Sequence, residues 1–240
     1  MTELPLFYQR PVPLSTQRHA AWRLKPGNLD FAAPCTALPV VTDEFAPASR
    51  SYLLLFSAQD AMPLVLLGLE RRNLFVEGGE WAKEHYVPAY VRRYPFVFVR
   101  TPDQDGYALA IDADSGRVAE SGDEGVALFE GEQPSALTRQ ALEFCSRFTG
   151  EHLATQAFAQ ALKTHGLLAS RDASVTLPGG RRLNVTGFEV VDAEKFAALP
   201  EDVIVEWHRK GWLALVHFHM ASLSRFSELL SRQSAQETTA

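Results

Sequence analysis

The chain has 240 residues, 46% hydrophobic and 22% charged, with a formal charge of −6 and a pI near 5.7. That share of apolar side chain excludes a disordered polypeptide, because burial can offset the entropy of ordering. The acidic balance excludes bulk nucleic-acid binding, and two cysteines, Cys35 and Cys145, exclude a disulfide scaffold.

The first ten residues carry Glu3, Pro5 and Arg10 where a secretory signal would have a basic patch and an apolar run. The most apolar stretch, 62–69, is less than half of what a bilayer crossing needs. The expectation is a cytoplasmic protein with reduced thiols and no membrane insertion. Prolines at 5, 11, 13, 26, 34, 39 and 47 forbid long helices in the first third and favour short strands and turns. Tyr52 to Phe56 and Pro63 to Leu69 are apolar runs bounded by turn residues, the pattern of buried strands, and Gly78-Gly79 predicts a turn. Tyr94 to Val99 and Tyr107 to Ile111 read as antiparallel strands joined by a reversal at Pro102 to Gly106.

After Pro134 the period changes. Leu137, Ala141, Leu142, Cys145 and Phe148 predict one helix, and Leu153, Ala157, Phe158, Ala161 and Leu162 a second, with Gly166 at its left-handed C-terminal cap. Val175 to Leu177, a turn at Pro178 to Gly180, and Leu183 to Val191 read as a hairpin, after which Asp192 caps a short helix. Trp212 to His219 alternates weakly and predicts a strand running into helical spacing from Ala221 to Leu230. The polar end, 231–240, is expected to fray. The fold class that follows is α+β, with a β-rich N-terminal half of mostly antiparallel sheet and helices concentrated in the C-terminal half. One compact domain over 1–231 with a flexible tail, 232–240, is the expected organisation.

Asp112 and Asp114 follow an apolar run, as the nucleophile pair of aspartate phosphotransferases does, but Gly116 stands where a hydroxyl residue is usual, so a solvated Asx turn is the plainer reading. Cys145 on an apolar helix face reads as packing, and no phosphate loop, dinucleotide fingerprint or serine elbow occurs. On a strand, His217 and His219 would leave the same face and could grip iron or zinc with a third ligand such as Asp112; otherwise they are hydrogen-bonded structural or surface histidines. Without that pair no cofactor is expected.

The densest constellation is WAKEHYVPAYVRRYPFVF, Trp81 to Phe98. In an extended segment Arg92 and Arg93 would point to opposite faces, and the inner one would need a partner. An internal ion pair is one reading; a ligand or peptide contact formed by Tyr86, Tyr90, Arg92, Arg93 and Tyr94 is the other.

Four features resemble the SapC family of bacterial proteins. They are Val41-Thr42-x-Glu44-Phe45 leading into Tyr52 to Phe56; YVPAYVRRYPF, Tyr86 to Phe96; the 110–131 stretch, with Ile111-Asp112 and Leu128-Phe129-Glu130-Gly131; and GWLALVHFHMASL, Gly211 to Leu223. The resemblance implies a surface-layer-related accessory protein and supplies no catalytic residues. The functional expectation is a cytoplasmic binding protein with a protein or peptide partner, the alternative a metal-dependent oxygenase built on the His-x-His pair.

Overall fold

Phe96–Arg100 and Tyr107–Asp112 pair antiparallel, Phe96 opposite Ile111 and Phe98 opposite Leu109, in a computed structural model that describes residues 4–100, 106–176 and 181–239. Strand alternation sends Phe96, Leu109 and Ile111 into a cluster with Trp22, Leu24, Leu128, Phe129 and Cys145. Val97 and Ala110 enter a second cluster with Tyr8 and Tyr94. Both faces of this sheet are therefore covered, and Pro11–Pro13 completes it beside Tyr107–Asp112. The predicted pairing is present; of the predicted reversal, residues 101–105 lie outside the described residues.

Contacts divide the chain into two compact units. One comprises Met1–Phe31 and Ala89–Gly150, the other Ala32–Pro88 and Glu151–Ala240. In the first, Arg23–Leu24 lies between Val118–Ala119 and Val126–Ala127, and Phe129–Glu130 pairs with Gln133–Pro134. In the second, a five-stranded antiparallel sheet runs in the order Leu168–Thr176, Arg182–Val191, Leu53–Ser57, Pro63–Leu66, Ala37–Pro39. The α+β class and the concentration of helices late in the chain are as expected, and all of these pairings are antiparallel. Among the described residues, no helix is long and apolar enough to cross a membrane.

Several local expectations hold for physical reasons. Gly78 and Gly79 take φ of 57° and 78° between Val76–Glu77 and Glu80–Trp81, the two positive angles a tight hairpin turn needs. The Asp192 carboxylate accepts from Glu194 N (3.0 Å) and Lys195 N (3.2 Å) at the start of Ala193–Ala197. The Leu168–Thr176 and Arg182–Val191 strands form the predicted hairpin, with the turn residues 177–180 outside the described residues.

Two expectations are corrected. The two helices predicted after Pro134 are one, Ala136–Thr164, 29 residues long, since the weakest helix former between Phe148 and Leu153 is Gly150, and one glycine costs a helix about 1 kcal/mol. The predicted strand Trp212 to His219 is a helix, Trp212–Ser222. The polar end continues the helix Phe226–Thr239, within which Gln233 is buried.

The reason for the Trp212–Ser222 helix lies in the second unit's sheet. Leu53–Ser57 is in register with Arg182–Val191 only at Ser57 and Phe56, so Leu54 has no strand partner on that side. Ser222 Oγ accepts from Leu54 N (3.0 Å). His219 Nδ1 donates to Leu54 O (3.0 Å), and its Nε2 accepts from Val191 N (3.0 Å). The helix thus satisfies buried backbone groups where two strands part. These bonds specify the neutral tautomer protonated at Nδ1, and burial pushes the imidazole pKa down to about 4.

The unfolded chain protonates this histidine near its ordinary value while the folded one resists, so the stability it contributes is complete above about pH 6.5 and is lost as pH falls toward 4. Urea unfolding between pH 7 and 4 should show a loss of roughly 3 kcal/mol from this group, absent in His219→Gln; parallel pH slopes for the two proteins would contradict it. In the first unit, Asp112 is fully buried and accepts from Arg10 N (2.7 Å), Gln9 N (3.1 Å) and the Tyr94 hydroxyl (3.1 Å). Asp112→Asn replaces one acceptor oxygen with a donor facing other donors, and the urea midpoint should drop by an amount equivalent to about 2–3 kcal/mol at unchanged m.

Candidate functional site

Ala89–Arg92 is a single helical turn, so the two arginines do not alternate as they would on an extended segment. Arg92 is exposed, with its guanidinium carbon 5.3 Å from the centre of the Phe144 ring. Arg93 is half-buried. Its guanidinium carbon lies 4.0 Å from the ring centre of Tyr90, 4.5 Å from Phe148 and 5.6 Å from Tyr8.

The cage is built on backbone bonds. Tyr8 OH donates to Phe96 O (2.6 Å) and Tyr90 OH to Leu6 O (3.4 Å), while Phe148 projects from the helix Ala136–Thr164. Burial holds the Tyr8 phenol well above its usual range, so it remains a neutral ring. The internal ion pair considered from the sequence is not what answers Arg93: among the described residues no carboxylate lies within salt-bridge distance of it, and its buried Nε has no hydrogen-bond partner. Rings attract the cation through their quadrupoles but accept no strong hydrogen bond.

Arg93 lines a cavity of about 400 Å³ within the first unit, open to solvent on one side. One wall is a single face of the helix Ala136–Thr164, formed by Leu137, Gln140, Ala141, Phe144 and Cys145 at three- and four-residue spacing. Leu24, Gly27 and Leu29 face it, and 91–96 supplies the arginines. Arg117 is the third cation. Its Nε and Nη1 each reach a backbone carbonyl, Lys25 O and Tyr94 O, at 3.4 Å, and burial lowers its pKa from the ordinary arginine value. Gly27 makes room for this arginine, since a Cβ there would stand 2.5 Å from Arg117 Cδ and Nε.

Three arginine residues line this space and, among the described residues, no Asp or Glu does. Cys145 is buried and its thiol is pushed up to about 11 by burial, despite Arg93 nearby, which leaves it protonated and unreactive at neutral pH. Tyr94 directs its hydroxyl at Asp112, and burial and that carboxylate raise its pKa. Arginine and apolar side chains together give the lining the chemistry to bind and orient an anion carrying an apolar body.

Of the five contact residues expected from the sequence, Arg92, Arg93 and Tyr94 line the cavity and Tyr90 stacks beneath Arg93. Tyr86 belongs to the second unit, where its hydroxyl donates to Glu44 Oε1 (3.0 Å) and its carbonyl accepts from Tyr52 OH. Arg117, Gln140 and Gly27 were missed. Nothing local marks Arg117, whereas Gln140 and Phe144 could have been read from the periodicity that found Leu137 and Ala141.

The premise of the histidine pair does not hold. On a helix, residues two apart point roughly 200° from each other, and His217 is exposed against Phe196 (ring centres 5.5 Å apart) while His219 is buried with both ring nitrogens bonded to backbone. Among the described residues no three His, Cys, Asp or Glu side chains are grouped to hold a metal ion. The phosphotransferase pattern fails likewise, because Asp112 is engaged by three donors and Asp114 pairs with Arg10 at the surface (2.8 Å).

No curated protein and no solved structure matches the chain. The family model SapC matches residues 14–229, which take in the helix Ala89–Arg92, every residue lining the arginine cavity, and the Trp212–Ser222 helix. The chain belongs to the SapC family.

Proposed function

We propose that this SapC-family protein is a cytoplasmic, non-catalytic accessory protein that engages a polypeptide partner through the arginine cavity of its first unit. The observation that carries this reading is Arg93, a residue of the cavity lining whose guanidinium lies over three aromatic rings and, among the described residues, meets no carboxylate. A cation partly withdrawn from water and left unneutralised costs stability, and a site that retains it is primed for an anion that completes its hydrogen bonds. Aromatic and arginine side chains packed together also have the composition of interface hot spots. The raised Cys145 thiol and the committed Tyr94 hydroxyl favour binding over chemistry.

The test is capture of partner proteins from the native cell lysate on immobilised protein. Arg93→Met keeps an apolar stem in the cage, removes the charge and relieves the unpaired Nε, so unfolding free energy should stay within about 1 kcal/mol of wild type while capture falls at least tenfold. Equal capture by the variant would remove the cavity from the recognition surface. Gly27→Ala is an independent probe, because its new methyl group drives Arg117 from its place. It should weaken capture severalfold and shift the urea midpoint by less than the equivalent of about 1 kcal/mol; undiminished capture would take Arg117 out of the site.

A further inference from the structure

We infer that the cavity takes the terminal carboxylate of a polypeptide whose last side chain is apolar. This rests on the binding reading above and narrows it to one kind of ligand. The first argument is charge: Arg93 and Arg117 line the space and, among the described residues, no acid does, so an anion is selected over a neutral or cationic group.

The second is the geometry of the central cation. The Arg93 guanidinium carbon lies over the rings of Tyr90 and Phe148, and its Nε is buried. Nη1 and Nη2 are not buried unpartnered atoms as Nε is, and they form a pair of parallel donors that matches the two oxygens of a carboxylate.

The third is the wall. Leu24, Leu29, Leu137, Ala141 and Phe144 bound a space of about 400 Å³, in which an inorganic anion would leave most of the apolar surface unfilled. The occupant must carry an apolar group beside its charge.

The fourth separates a peptide from a free acid. Gln140 stands exposed on the cavity wall, and its side-chain amide forms no hydrogen bond among the described residues. An amide offers one acceptor and a donor pair, the complement of a peptide group. A polypeptide terminus supplies such a group next to its carboxylate; a simple carboxylic acid does not.

The experiment is fluorescence anisotropy with fluorescein-labelled Gly-Ser-Gly-Ala-X peptides, X being Phe, Leu, Met or Asp, each as the free acid and as the C-terminal amide, with 3-phenylpropionate and inorganic phosphate as competitors. At least one of the three apolar free acids should bind wild type, its amide at least tenfold more weakly, and Asp should bind more weakly than that apolar residue. Arg93→Met should lose the difference between acid and amide, Gln140→Ala should weaken the peptide about threefold without changing displacement by 3-phenylpropionate, and phosphate should compete poorly.

Equal binding of acid and amide, with both lost in Arg93→Met, would overturn the carboxylate assignment and leave the binding reading standing. Binding unchanged in Arg93→Met would overturn both. Displacement by 3-phenylpropionate or phosphate at concentrations below those of the peptide would make the occupant a small anion, and binding of none of the peptides would overturn the assignment of a polypeptide terminus. In that last case the lysate capture by Arg93→Met decides the broader reading separately.

Discussion

A guanidinium retains its proton at any pH a protein meets, so a fold that draws one inward must answer the charge. In the first unit the answer given to Arg93 is three aromatic rings and, among the described residues, no acid. Cation–π attraction is worth about 0.5–2 kcal/mol per contact, enough to fix the plane of the group and too little to replace its lost hydration. The consequence is an oriented, under-satisfied cation at the edge of an apolar space. The rings that hold it are themselves held, Tyr8 by Phe96 O and Tyr90 by Leu6 O, so the orientation belongs to the sheet and the long helix and not to a mobile side chain.

Elsewhere in the interior several buried polar side chains close gaps in the backbone ladder. Asp112 collects two N–H groups of the N-terminal segment and the Tyr94 hydroxyl. In the second unit His219 and Ser222 take both backbone groups of Leu54, and Glu44 accepts from Val41 N (3.0 Å). These residues have the chemical types of catalytic groups, and their donors and acceptors are spent on structure. Arg93 and Arg232 each keep a buried Nε without a hydrogen-bond partner, but Arg232 pairs with Glu228 (3.5 Å), whereas among the described residues no carboxylate pairs with Arg93, which is why the functional reading rests on it.

Much of the fold was legible because it depends on short-range physics. The Phe96–Arg100 and Tyr107–Asp112 pairing follows from period-two alternation, the Gly78-Gly79 turn from the freedom of glycine at positive φ, and the Asp192 cap from a carboxylate set two and three residues before free N–H groups. Trp212–Ser222 was misread because β-branched and aromatic residues are common both in strands and in buried helices, and alternation over eight residues does not separate the two. What settled it was a distant vacancy on Leu54. The site was half legible: Tyr90, Arg92, Arg93 and Tyr94 lie in one run, whereas Arg117 and Gly27 come from segments far along the chain.

The amino-acid sequence by itself determined the α+β class, the local turns and caps, the absence of a strong positive field and the family, since each depends on composition, neighbouring residues or a linear pattern. Only the tertiary structure decided that Arg93 is drawn in among three aromatic rings, that among the described residues no acid meets it, and that the two late histidines face apart. Those outcomes depend on which side chains from remote segments reach the same few ångströms, and interactions between a charge and its surroundings are set by that distance and by exposure to water, neither of which is written in linear order.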